Sequence, residues 1–197
     1  MPKSKRHDFA VIGEWVAPGA RVLDLGCGDG GLLRYLKEQR KVTGCGVEIE
    51  DAGILACVKN GVSVIQRDLE QGLSEFQDGS FDCVVLSQTL QATRNSERII
   101  REMLRVGREG IVTFPNFGYW RNRLAVLRGH MPVNRELPFE WFDTPNIHLC
   151  TVADFERFCS ERHISILNRR VLTGGDEVPF APNLLGALAV YRFTSAG

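Results

Sequence analysis

Net charge is the first thing this chain lacks: 24 Lys and Arg stand against 24 Asp and Glu in 197 residues. No global field therefore draws it to nucleic acid or to an anionic membrane surface. The six cysteines, at positions 27, 45, 57, 83, 150 and 159, include no C-x-x-C pair, and the four histidines stand in no metal-type spacing with them. That excludes the common zinc and dithiol motifs, and no metal site is expected. No apolar run approaches the roughly 18 residues of a membrane span. The opening MPKSKRHD carries three basic residues with no apolar stretch behind them, so no secretory leader is expected. Cysteines scattered through apolar patterns suit reduced, buried thiols, and a cytoplasmic location is the expectation. Neither an internal repeat nor a low-complexity segment divides the chain, and its length fits one α/β domain over 1–197.

What is present is concentrated in VLDLGCGDGG, residues 22–31. An apolar strand over 22–25 runs into a glycine-rich turn, and a helical pattern begins at Leu32 and Leu33. Glycines at 26, 28, 30 and 31 allow a ligand to approach the main chain closely. Strand, glycine turn and helix in that order place a small-molecule site at the carboxyl end of the first strand of an α/β sheet. Two ligands compete for it. Gly26, Gly28 and Gly31 satisfy G-x-G-x-x-G, a dinucleotide fingerprint. Asp24, however, stands where a dinucleotide strand carries an apolar side chain, and a carboxylate there suits a cationic ligand. A turn that serves chain geometry alone is the weaker explanation, because several glycines at one helix entry are conformationally costly.

The spacing D-x-G-x-G-x-G, here Asp24, Gly26, Gly28 and Gly30, resembles the first motif of class I S-adenosylmethionine-dependent methyltransferases. In that family the turn, which here includes Cys27, holds the amino-acid end of the cofactor. A second strand over 42–48 ends on Glu48, 20 residues past Gly28. At that spacing a carboxylate can accept hydrogen bonds from both hydroxyls of a ribose, whichever nucleotide is bound. Residues 51–60 read as a helix closed by Gly61, and 62–66 as a third strand ending at Arg67-Asp68-Leu69. The family resemblance makes Asp68 the acid that meets the adenine amino group. Ile49 and Leu69 can sandwich the adenine, or equally serve ordinary packing.

A fourth strand is read over 80–91, with Ser87 and Gln88 at its carboxyl end facing the place of a methyl acceptor. A helix over 96–105 shows the stripe Ile99, Ile100, Met103 and Leu104, and a fifth strand covers 110–116. Asp8 can cap a short helix that ends at Trp15 and covers the sheet edge or the cleft. Repeated strand-helix units argue a parallel sheet. After a helix over 151–163, with Thr151 and Asp154 as a capping pair, two strand-like runs follow at 164–172 and 184–193. Joined without a helix, they pair antiparallel. That closing pair is the class I methyltransferase arrangement: a Rossmann-like, seven-stranded, mostly parallel sheet with one antiparallel strand and helices on both faces.

Residues 117–149 are the least generic part. A first half of helical character, with Trp120, Leu124 and Leu127 apolar, is followed by some twenty residues interrupted by three prolines. Such a length suits a lid or a partner-docking insertion. Its aromatics Phe139, Trp141 and Phe142, interleaved with arginines, are types enriched at protein interfaces. Glu136, Glu140 and Asp143 break the basic patch, which argues against nucleic acid. His148 can be read as a general base or as a structural histidine, and Asn146 carries the same ambiguity.

Taken in order, VLDLGCGDGGLL, GVEIE, the DLEQGL run, SQTLQ, IVTFPNFGYWRNRL and WFDTPNIHLCTVADF are similar to the MetW family of methionine biosynthesis proteins. The resemblance covers nearly the whole chain and implies association with a homoserine O-acetyl- or O-succinyltransferase. It leaves two functions open. In one, Asp24, Gly26, Cys27, Gly28, Glu48, Ile49, Asp68, Leu69 and Ser87 hold S-adenosylmethionine or S-adenosylhomocysteine in a partner or activator subunit. In the other, Ser87, Gln88 or His148 orients a small acceptor for methyl transfer.

Overall fold

Strands that read as near-continuous apolar runs need cover on both faces, and the helices of this chain supply it. The computed structural model describes residues 6–196. Lys3 and Lys5 of the basic opening lie outside the described residues. The elements are α1 Asp8–Trp15, β1 Arg21–Leu25, α2 Gly31–Arg40, β2 Thr43–Glu48, α3 Asp51–Lys59, β3 Val64–Gln66 and β4 Phe81–Ser87. They continue with α4 Ser96–Val106, β5 Gly107–Pro115, α5 Trp120–Leu127, α6 Val152–Glu161, β6 Ile164–Thr173, β7 Asp176–Glu177, α7 Pro182–Leu185 and β8 Leu188–Ser195.

One sheet runs in the order β3-β2-β1-β4-β5-β8-β6-β7. The strands β1 to β5 pair in parallel, and β8 lies antiparallel between β5 and β6. The expectation of seven strands with one antiparallel is corrected to eight with two. Gly174 and Gly175, at φ 66° and 106°, reverse the chain in two residues and fold β7 back antiparallel on β6. Two consecutive positive φ angles match the hand of turn that tight hairpins need.

Three other boundaries shift for local reasons. The strand expected over 184–193 begins only at Leu188, because Pro182 starts a short helical turn that takes up Leu184 and Leu185. The strand expected over 80–91 stops at Ser87, where Gln88 turns left-handed at φ 54°. Asp8 does not cap α1; His7 holds that position, and Asp8 is fully buried in the first turn.

Alternation sorts the strands between two cores. Leu23, Leu25, Val84, Leu86, Val112 and Phe114 face α4 and α6. Val22, Val85, Ile111 and Val190 face α1 and α2, where Ile12, Leu33 and Leu36 are buried. Asp24, Ser87 and Thr113 continue this second face towards the carboxyl ends of their strands, so its apolar floor gives way to polar groups beneath α1.

Candidate functional site

Strand order reverses between β1 and β4, the neighbours of opposite sequence direction in the sheet. In open α/β sheets the crevice at such a switch point is where ligands bind. The turn after β1 lies there. Gly28 takes φ 56°, and a Cβ added to it would meet no atom within 4 Å, so its main chain faces open space. Its N–H donates to Glu48 Oε2 at 2.7 Å, while the N–H groups of Ile49 and Glu50 donate to Glu48 Oε1 at 2.8 and 3.0 Å. Three backbone donors thus hold a buried carboxylate at the tip of β2 and leave Oε2 with spare acceptor capacity. Gly53 on α3 makes room: a Cβ there would stand 2.8 Å from Glu48 Cγ and 2.9 Å from the Gly28 carbonyl oxygen.

A cleft of about 290 Å³ opens beside this turn. Its lining brings together Gly26, Glu48, Ile49, Asp68 and Leu69, five positions singled out in the sequence from three separate strand ends. Asp68 Oδ1 accepts from the Glu70 N–H at 2.9 Å, capping a single 3₁₀ turn. Ile49 is half exposed, whereas Leu69 packs partly on the core. Thr89 and Thr93, which sequence reasoning passed over, complete the wall.

Asp24 and Ser87 belong to a second, adjoining cluster. Asp24 is 2% exposed, and no hydrogen bond reaches its side chain among the described residues. Burial pushes its pKa up to about 7, against the opposing pull of Arg6, and the nearby charges of Asp8 and Glu48 add to the rise. The Ser87 hydroxyl donates to Asp8 Oδ2 at 2.8 Å and lies 3.1 Å from the Thr113 hydroxyl. Arg6 donates to both Asp8 oxygens, at 3.0 and 2.8 Å, and to Ser87 Oγ at 2.6 Å. Desolvation works against the Arg6 charge, yet the hydrogen bond and charge of Asp8 hold its pKa above the usual value. Arg6, Asp8 and Thr113 were missed from the sequence; an acid inside an otherwise apolar short helix was the available signal.

The remaining candidates scatter. Cys27 offers its N–H to the Val47 carbonyl, but its thiol lies in the core 3.6 Å from Cys57 Sγ, and burial drives its pKa far up. Gln88 is fixed through its backbone, whose N–H donates to Thr113 Oγ1 at 3.0 Å. His148 stands beyond the 3₁₀ turn Leu90–Ala92, its Nε2 3.2 Å from the Arg94 carbonyl oxygen, in the wall of another cavity.

The family model for methionine biosynthesis protein MetW matches residues 6–193. The chain belongs to the MetW family. It is 39% identical over 94% of its length to the bifunctional methionine biosynthesis protein MetXA/MetW of Rhodopirellula baltica, of which it spans 32%. It spans about half the length of curated N-, S- and O-methyltransferases at 25–32% identity. Among solved structures, an S-adenosylmethionine-dependent methyltransferase from Mesorhizobium loti superposes with a TM-score of 0.70 at 16% identity, covering 95% of this chain and 97% of the other. The [4+2]-cyclase SpnF does so at 0.68 and 16%, covering 96% and 80%. Likeness at that identity shows the Rossmann-like methyltransferase fold, and the cyclase illustrates that the fold alone does not prescribe one reaction.

The MetW family match includes the segment after β5. Asn116, fully buried, donates to the carbonyls of Gly186 and Asn183 at 2.7 and 3.1 Å and accepts from the N–H groups of Gly118 and Val152 at 3.0 and 3.1 Å. One side chain thereby ties the start of the segment to α6 and α7. The helix read over the first half forms as α5; Asn122 is its buried residue, Leu124 is half-buried, and Leu127 is 83% exposed. Residues 128–149 carry no helix or strand. They are pinned by Asn134, which donates to Asn122 Oδ1 and accepts from Glu136 and Leu137, and by the N–H groups of Ile147 and His148 on the Gln91 carbonyl. Trp141 and Phe142, 72% and 70% exposed, meet edge to face at 5.7 Å. No helix among the described residues is long and apolar enough to cross a membrane.

Proposed function

We propose that the cleft binds S-adenosylmethionine or S-adenosylhomocysteine, and that the chain acts in methionine biosynthesis as partner or activator of a homoserine O-acetyl- or O-succinyltransferase, docking through residues 117–149. The observation that carries this reading is the exposed Trp141–Phe142 pair on a pinned segment, in a chain whose 39%-identical relative is a MetXA/MetW protein. Large exposed aromatics held in place are costly to leave in water and are the groups that anchor interfaces.

The donor set fits the S-adenosyl group. Glu48 Oε2 has capacity for a ribose hydroxyl, Asp68 has an oxygen beyond the one that caps its turn, and Ile49 gives an apolar face to a base. Asp24, buried and without a hydrogen bond among the described residues, gains from a cation placed near it. When bound, S-adenosylmethionine supplies a sulfonium methyl group open to in-line displacement. A methyltransferase with a small acceptor is the second reading, favoured by the N-, S- and O-methyltransferases among the relatives. Asp8 and Ser87 under α1 lend it little support, because they are engaged with each other and with Arg6.

Calorimetry tests both halves. S-adenosylhomocysteine and the purified acyltransferase should each bind the wild-type chain saturably. Failure of the acyltransferase to bind, together with methylation of a metabolite at a useful rate, would replace the partner reading with the enzymatic one.

A further inference from the structure

A cavity apart from the nucleotide cleft has a volume of about 430 Å³, within the roughly 300–1,000 Å³ usual for small-ligand pockets. It lies between the start of α4, the end of β5, α6 and the segment 137–150. Leu90, Ile100, Phe114, Leu137, Phe155 and Phe158 make it predominantly apolar. Two polar features in its wall are left over by the fold. Gln91 Nε2 donates to the Gln88 carbonyl at 2.7 Å, but its Oε1 is buried with no partner. A buried acceptor in that state costs free energy that a donor on a ligand recovers. Arg94 is exposed at the same wall, and its guanidinium has no ion pair or hydrogen bond among the described residues.

The acids in the lining are already neutralised. Glu97 pairs with Arg101 at 2.6 Å and Arg162 at 3.0 Å, and Asp154 pairs with Arg157 at 3.2 Å and the Thr151 hydroxyl at 2.7 Å. Among the Arg, Asp and Glu side chains of the lining, that of Arg94 is the one left without an ion pair among the described residues; Glu70, outside the lining, accepts its backbone N–H.

We propose that this cavity binds a small anionic amphiphile: a carboxylate met by Arg94, one N–H or O–H donor to Gln91 Oε1, and a short apolar chain packed against Ile100, Phe114 and Phe155. N-acylated or hydroxylated short-chain carboxylic acids have this chemistry. The inference does not rest on the nucleotide cleft, which shares none of these lining residues.

The test uses the full chain, first alone and then with S-adenosylhomocysteine added, and N-hexanoylglycine as the probe, read by calorimetry and amide chemical shifts. Binding is expected to shift the amides of Ile100, Leu137 and Phe155. Arg94→Ala is expected to weaken it about tenfold, the scale of one charge-assisted contact. The uncharged methyl ester should bind wild type and Arg94→Ala alike. Absence of saturable binding at millimolar probe, displacement of the probe by S-adenosylhomocysteine, or equal probe affinity in Arg94→Ala would overturn the proposal. None of these outcomes bears on whether the acyltransferase binds.

Discussion

Two regions of this molecule treat polar and apolar groups in opposite ways. At the carboxyl ends of β1, β2 and β4, carboxylates are buried: Glu48 under three backbone donors, Asp8 under Arg6 and Ser87, Asp24 with no hydrogen bond among the described residues. In the segment after β5, aromatic rings are exposed while amides such as Asn116 and Asn134 are spent inside to hold the chain. Buried charge and exposed apolar surface are both unfavourable to folding by themselves. In the proposed function each marks a surface that a partner completes, a small cationic nucleotide in one case and a protein in the other.

Substitutions can break this contrast. The largest effect is expected at Asp24. Its folded pKa of about 7 exceeds the unfolded carboxylate value, so the folded state binds more protons between the two. Wild-type stability therefore falls as pH rises from about 4 to 7, and the loss is complete above that. Asp24→Asn removes the loss and should be more stable by about 4 kcal/mol at pH 8, with no advantage near pH 4, while binding S-adenosylhomocysteine more weakly. Denaturant melts at the two pH values check the first part and calorimetry the second. Asn116→Ala should cost about 2–3 kcal/mol, because several buried backbone groups lose their partner at once. Its urea midpoint should fall, and amide exchange should quicken over 117–118 and at Val152.

Glu48→Ala should reduce S-adenosylhomocysteine affinity by roughly ten- to a hundredfold, and with it the protection of Gly28 from exchange. The smallest stability effect belongs to the pair Trp141→Ala and Phe142→Ala, within about 0.5 kcal/mol of wild type because both rings are exposed. The same double variant should bind the acyltransferase at least about tenfold more weakly. A large loss of stability in it would show the rings to be core, and the contrast would fail.

The glycine turn was legible because its chemistry is local: residues 22–31 name their own strand, turn and helix. Glu48, Asp68 and their apolar neighbours were placed by counting strand ends, and the sheet puts them on one cleft. Pairings across distant segments were not legible. Nothing local to Asp8 says that Ser87 and Thr113, 79 and 105 residues away, will meet it, and so it read as a cap. The burial of Asn122 on α5 was not legible for a related reason, since helical periodicity shows which residues share a face but not whether that face turns inward. The short β7 was missed because two residues are too few to register as a strand pattern, although the double glycine before it is a hairpin signal.

The central claim is that this chain acts on an acyltransferase through the segment after β5 while its nucleotide cleft is occupied. The most direct measurement is the homoserine O-acyltransferase rate, followed as the protein is titrated in with S-adenosylhomocysteine present. A saturable rise in rate that the Trp141→Ala, Phe142→Ala variant does not produce is the predicted result. A rate indifferent to the wild-type protein at every concentration would contradict the account.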